Sequence, residues 1–345
     1  MQLGPGVKPP LGVIFDCDFG NRIDTVLALC VLYGLDQKNE CRLYSITISK
    51  PSLRAAAAAE VVGRFYALSQ QNLNGPAGRV LAMGLNDHGK DTGDTPIIKA
   101  LLETQQQDGK PKYIHAMQSI NDTAEPAPVI RNALTAHHDQ NAVVVCTGPL
   151  TNLAATLNLY EARPWVEKKA RNLVVAAGDF ANPGKPDAKI AADVAAARKV
   201  FAEWPTEIVF AGSELANVAP FPASSIEQDF AWTQTHPLIE AYNAAGKMPY
   251  DAPTWDVAAV LQAVRPKEQY FQLSEPGTVT VADNGALTFT AKAGGRHRYL
   301  IADPSKKEAL QKDMAALASV KPVVRTRRPA AAAAAAEKPV EKKQP

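Results

Sequence analysis

The stretch VIFDCDFGNRIDTVLALCVLYGL, from Val13 to Leu35, sets Asp16, Asp18 and Asp24 within nine residues, between a run rich in β-branched and aromatic side chains and a long apolar segment. The run reads as a strand buried on both faces and the segment as a helix, so the carboxylates stand where strand gives way to helix. A loop of this kind, with Gly20 free to turn tightly, can direct several oxygens at one hard cation such as calcium. Turn formation by Asp16 and Asp18, and helix capping by Asp24, would explain the same residues. Spacing alone leaves both readings open.

Similar Val/Ile-rich runs follow at RLYSITIS, AVVVCTG, NLVVAAG and TEIVFAG, each succeeded by helical spacing. Their alternation predicts an α/β fold: a Rossmann-like, mostly parallel sheet with helices on both faces. Ligands of such sheets bind beyond the carboxyl ends of the strands, where the loops DCDFGN, TISKPS, CTGPLTN and AAGDFANPGKPD would gather. After Pro266 the pattern changes to alternation around a DNG turn signal, which predicts a C-terminal antiparallel β-hairpin region over residues 268–303. The expected layout is one domain over 12–318, a short extension at 1–11 and a disordered low-complexity tail at 319–345.

The chain has 345 residues, 46% of them hydrophobic and 21% charged, with no apolar run near the roughly 18 residues of a membrane span. Its net charge of +2 conceals a basic tail: six Lys/Arg against two Glu follow Val324, so the preceding part is slightly acidic. Neither nucleic acid nor a membrane is therefore an expected partner. Four cysteines without CxxC spacing are expected as buried thiols. The start MQLGPGVKPPLG has no basic and apolar leader pattern, so a cytoplasmic address is expected, unless a leader precedes the printed start.

DCDFGNRIDTVLAL resembles the opening Asp-Thr-Asp-x-Gly-Asn-Asp-x-Asp-Asp-Ala-Leu-Ala-Leu of the inosine-uridine-preferring nucleoside hydrolase family, in its longer-loop bacterial branch. Three later segments are similar to family signatures in the same order: VVVCTGPLTNLAATL (143–157), AAGDFANPGKPDAKIAAD (176–193) and APTWDVAAVLQAVRP (252–266). The resemblance implies hydrolysis of the N-glycosidic bond of ribonucleosides at a calcium ion, with a small nucleoside-like molecule as partner; a homo-oligomer is compatible with it. Carried over by position, it implies Asp18 as general base and metal ligand, the Thr147 carbonyl and Asp256 as further ligands, and Asp16 as a supporting acid. Asp24, Asn182, Asp187, Lys189 and Trp255 would then face the substrate. A metal-bound water beside a carboxylate suits attack on a sugar carbon that develops oxocarbenium character.

Several positions depart from that pattern. Thr25 stands where the family has a chelating Asp, and Arg22 where this branch has another Asp. Lys189 replaces a ribose-binding Asn, Asp187 shortens a Glu, Lys50 lies where many members carry Asn, and Trp255 replaces a His that protonates the leaving base. Losing a bidentate carboxylate at residue 25 lowers charge and coordination number together, so a weak or lost calcium site is expected. A fixed cation in place of part of the metal, or a ligand bearing an anionic group, would account for the added basic residues. The alternative outcome is a ligand-binding relative without turnover.

Overall fold

The computed structural model describes residues 9–68, 81–89, 91 and 93–322; residues 1–8 and 323–345, with most of the expected extension and tail, lie outside them. The opening strand, β1 (Leu11–Cys17), is buried along its whole length. It pairs in parallel with β2 (Cys41–Ile48) on one side, and on the other with β4 (Ala142–Cys146); β2 in turn pairs in parallel with β3 (Ala82–Leu85). Beyond β4 follow β5 (Ala170–Val175) and β6 (Glu207–Phe210), also parallel. The order 3-2-1-4-5-6 is doubly wound, and its direction reverses between β1 and β4. That reversal splays the loops after the two strands apart and leaves a crevice at their carboxyl ends.

The alternation of side chains along the strands explains why each strand is apolar throughout. Val13, Phe15 and Cys17 of β1, with Val143 and Val145 of β4, belong to one core, while Ile14, Val144 and Cys146 belong to the core on the opposite face. Each such Val, Ile or Phe contributes about 1.5–3 kcal/mol by leaving water. The helix Ile23–Gln37 is buried nearly all round because the helices Asp256–Val264 and Lys307–Ala318 both pack on it. An apolar circumference of this kind belongs to an interior helix.

The C-terminal region contains the expected hairpin: β8 (Gly277–Val281) and β9 (Leu287–Ala291) are antiparallel, with Val281 opposite Leu287 across the DNG turn. It is not merely appended, however. β10 (His297–Ala302) pairs in parallel with β6 and antiparallel with β8, while β7 (Phe271–Leu273) adds to β10, so the region extends the main sheet to ten strands. The four cysteines are buried and free. Among the described residues no helix is long and apolar enough to cross a membrane.

At Gly34 the helix Lys307–Ala318 lies tight against the first helix: a Cβ there would stand 2.2 Å from the Leu317 carbonyl oxygen. Gly34→Ala is expected to destabilise the fold by about 1–3 kcal/mol, because overpacking outweighs the better helix propensity of Ala. Urea unfolding followed by circular dichroism measures this; an unchanged or raised midpoint would contradict the packing described.

Candidate active site

The crevice at the β1/β4 switch point is built on Asp16, the last but one residue of β1. Its carboxylate is fully buried and accepts from Thr47 Oγ1 (2.6 Å), Asn152 Nδ2 (2.7 Å) and Cys146 Sγ (3.4 Å). Burial pushes its pKa up to about 6 against the pull of those donors. Asp16 thus ties β2, β4 and the helix Thr151–Leu157 to the end of β1. Next to it the Thr147–Gly148 turn lies against Cys17 and Asp18 with no space for a side chain: a Cβ at Gly148 would meet Ser49 Oγ at 2.3 Å and Asp18 N at 2.7 Å. Gly20, with φ +84°, then turns the chain toward the next helix.

Asp24 does not cap its own helix. Its carboxylate accepts from the backbone N–H groups of Trp255 (2.8 Å), Asp256 (2.7 Å) and Val257 (3.3 Å), which satisfies the N-terminus of the helix Asp256–Val264. Burial and the nearby Asp256 charge raise its pKa well above the ordinary range. The helix so fixed presents Asp256, which has no exposed surface. Its Oδ1 accepts from Lys189 Nζ at 2.6 Å; its Oδ2 accepts from Thr25 Oγ1 at 2.6 Å and from Arg22 Nη2 at 3.2 Å. Burial opposes ionisation of Asp256, but the two cations hold its pKa below the usual carboxylate value.

Lys189 reaches this position from the short helix Ala188–Ala192, whose N-cap Asp187 accepts from Lys189 N and Ile190 N. Its ammonium, buried like Asp256, also donates to the Ala176 carbonyl at 2.8 Å. Arg22 bridges Asp256 and Asp18, with its Nη2 3.7 Å from Asp18 Oδ1. Both cations lie against the Trp255 ring, Arg22 Cζ at 4.9 Å and Lys189 Nζ at 5.4 Å from its centroid. Asp18 Oδ2 accepts from Asn21, whose own Oδ1 accepts from Lys50 Nζ at 3.2 Å. Burial raises Asp18, partly offset by Arg22 and Lys189.

A cavity of about 380 Å³ adjoins this group, lined by Asn21, Arg22, Asp24 and Trp255 together with Thr95, Ile97 and Tyr250. Among the described residues eight buried side-chain polar atoms lack a hydrogen-bond partner, and four of them are here: Asp18 Oδ1, Arg22 Nε, Thr147 Oγ1 and Trp255 Nε1. Unsatisfied buried polar atoms are rare, so their concentration around one crevice points to a polar ligand.

Of the residues singled out in the sequence, Asp16, Asp18, Asp24, Thr147, Lys189, Trp255 and Asp256 are brought together. Asn182 and Asp187 are not. Asn182 is exposed and donates to Asp179 at 3.0 Å, held on the outside of its loop. Asp187 accepts from the Gly178, Lys189 and Ile190 amides, so its task is to place Lys189. Sequence reasoning did not find Asn152 or the cavity walls at Thr95–Ile97 and Tyr250; only Asn152 had a signal, as the last residue of TGPLTN.

The donor set does not fit a calcium ion. Both oxygens of Asp256 are engaged by this chain's own donors, residue 25 offers a hydroxyl already donated, and an ammonium and a guanidinium face the carboxylates. Two unit charges 4 Å apart repel by about 4 kcal/mol at an effective dielectric of about 20, and a divalent ion doubles this for each cation it meets. Among the described residues no group of three or more His, Cys, Asp or Glu is placed to hold a metal.

The family model of the inosine-uridine preferring nucleoside hydrolases matches residues 13–321. No curated protein sequence matches the chain. Among solved structures, a purine-preferring ribonucleoside hydrolase from Gardnerella vaginalis superposes with a TM-score of 0.68 at 17% identity, covering 89% of this chain and 98% of the other. The inosine-uridine preferring nucleoside hydrolase from Bacillus anthracis gives 0.62 at 16%, covering 89% and 99%. The type III effector protein XopQ, complexed with adenosine diphosphate ribose, gives 0.67 at 13%, covering 91% and 94%. With the family model spanning nearly the whole described fold, and its signature loops gathered at one switch point, the chain belongs to the inosine-uridine preferring nucleoside hydrolase family.

Proposed function

We propose that the chain, acting as one domain over residues 12–318, hydrolyses the N-glycosidic bond of a ribonucleoside or a close relative, releasing base and ribose. The observation that carries this reading is the cluster of four buried polar atoms without a hydrogen-bond partner at the family's signature loops. Asp18 Oδ1 is the acceptor among them. It is suited to take a proton from a water molecule as that water attacks the anomeric carbon, while the bonding pair of the C–N bond leaves with the base. Arg22 Nε and Trp255 Nε1 are donors that can orient the sugar and its substituent, and Thr147 Oγ1 can serve in either sense.

Asp256, Lys189 and Thr25 form a buried hydrogen-bonded group that anchors Arg22 of the cavity wall. Nothing at residue 255 can protonate the departing base, since an indole has no acidic proton at these pH values; a substrate whose leaving group needs no proton fits best. A second reading, binding without turnover, is favoured by one observation: Lys50 and Arg22 add positive charge beside the cavity, which suits a ribose ligand carrying phosphate. Binding of adenosine diphosphate ribose by calorimetry, with no base released from any nucleoside, would select it.

Three outcomes are expected. Asp18→Asn should lower kcat/KM for base release by about 10²–10⁴-fold, the usual contribution of a general base, with nucleoside affinity retained; chromatography of free base measures it, and retained activity rejects Asp18. The activity of the wild-type protein should fall on acidification with a midpoint above about 3.9, because burial raises the acid that must be ionised; a midpoint at or below that value removes Asp18 as the base. A p-nitrophenyl riboside should be cleaved faster than inosine, and the reverse order would show that an acid for the base exists after all.

A further inference from the structure

The signature loops of the family meet in this chain around a cation that the chain carries itself. We infer that Lys189 and Arg22 permanently take the place of the divalent ion, and that Thr25 completes the exchange by replacing a carboxylate with a hydroxyl donor, so that the pocket works without calcium. This inference rests on the reading of the crevice as the nucleoside site, but its argument and its test concern ion binding.

Three features of the group around Asp256 support it. First, the donors saturate Asp256: Lys189 takes Oδ1, and Thr25 and Arg22 share Oδ2. Second, Lys189 is not an incidental neighbour. Asp187 fixes the first turn of its helix, and the Ala176 carbonyl takes a second ammonium proton, so the charge is held from both sides in a buried position. Third, Lys189 and Arg22 together bring the same total positive charge as one divalent ion, and both are aimed at Asp256.

A buried ion pair is a poor device for stability, because desolvation offsets most of its attraction. A structural role alone therefore gives no reason for burying an ammonium here rather than an apolar side chain. A fixed charge beside the sugar-binding crevice does: with Arg22 Nε unpartnered at the cavity wall, it offers N–H donors to hydroxyl oxygens that a metal would otherwise hold.

The test titrates calcium chloride into the full-length protein by isothermal calorimetry and records Tm with and without calcium. The wild-type chain is expected to show no saturable heat and no rise in Tm. A triple variant, Arg22→Asp, Thr25→Asp and Lys189→Asn, returns the family's residue types and is expected to bind one calcium on the order of a hundredfold or more tighter than the wild type, with a rise in Tm. Saturable one-to-one binding by the wild type that Asp256→Asn abolishes overturns the inference. So does a folded triple variant, judged by circular dichroism, that fails to bind calcium. Should the triple variant not fold, the wild-type titration decides alone. Failure of every nucleoside to release base would reject the proposed hydrolysis while leaving the calcium result intact.

Discussion

The buried carboxylate of Asp256 is the constraint on which the site depends. A charge with no exposed surface persists only when its partners are supplied, and this one draws them from two separate parts of the chain: Arg22 and Thr25 after β1, and Lys189 after β5. Each partner is positioned in turn by ordinary backbone chemistry. Thr25 lies on the first helix, Lys189 on a helix capped by Asp187, and Asp256 itself on a helix whose end is satisfied by Asp24. The doubly wound sheet matters to function because it brings these three helix starts to one edge.

The same arrangement separates what serves the fold from what sets the chemistry. Asp16, with its Thr47, Asn152 and Cys146 partners, joins strands and helix and would serve any chemistry in the crevice. Arg22, Thr25 and Lys189 all bond Asp256, Arg22 and Lys189 also lie against Trp255, and all four differ from the residue types the family resemblance implies. Departures that lie far apart in the chain thus converge on one carboxylate.

Much of this was legible in the sequence, and the limits have physical reasons. Runs such as VIFDC and AVVVCTG announce strands because a parallel strand is buried on both faces, whereas β3, AMGL with its glycine and no β-branched residue, carries no such signal. That β10 joins the main sheet depends on pairing His297 with Ile208 across the chain, which local alternation cannot reveal. Asp18 and Asp256 were singled out because their segments resemble family signatures, since acidic residues at strand and helix ends also serve as turn formers and first-turn acids. The partners of Asp24 were not, since its N–H donors lie 231 to 233 residues away; Lys189 was singled out, but its pairing with Asp256, 67 residues on, leaves no local signal.

The clasp of Asp24 on the helix that starts at Asp256 has a consequence for how the protein is made. During synthesis the strand and loop bearing the first carboxylates leave the ribosome long before their partners, which follow some 232 residues later. Domains generally fold as units during synthesis. In this chain the earliest polar groups must wait, still hydrated, for nearly the last helix, so the crevice is among the final parts to close, and a prematurely terminated chain lacks it even where its first strands are already paired.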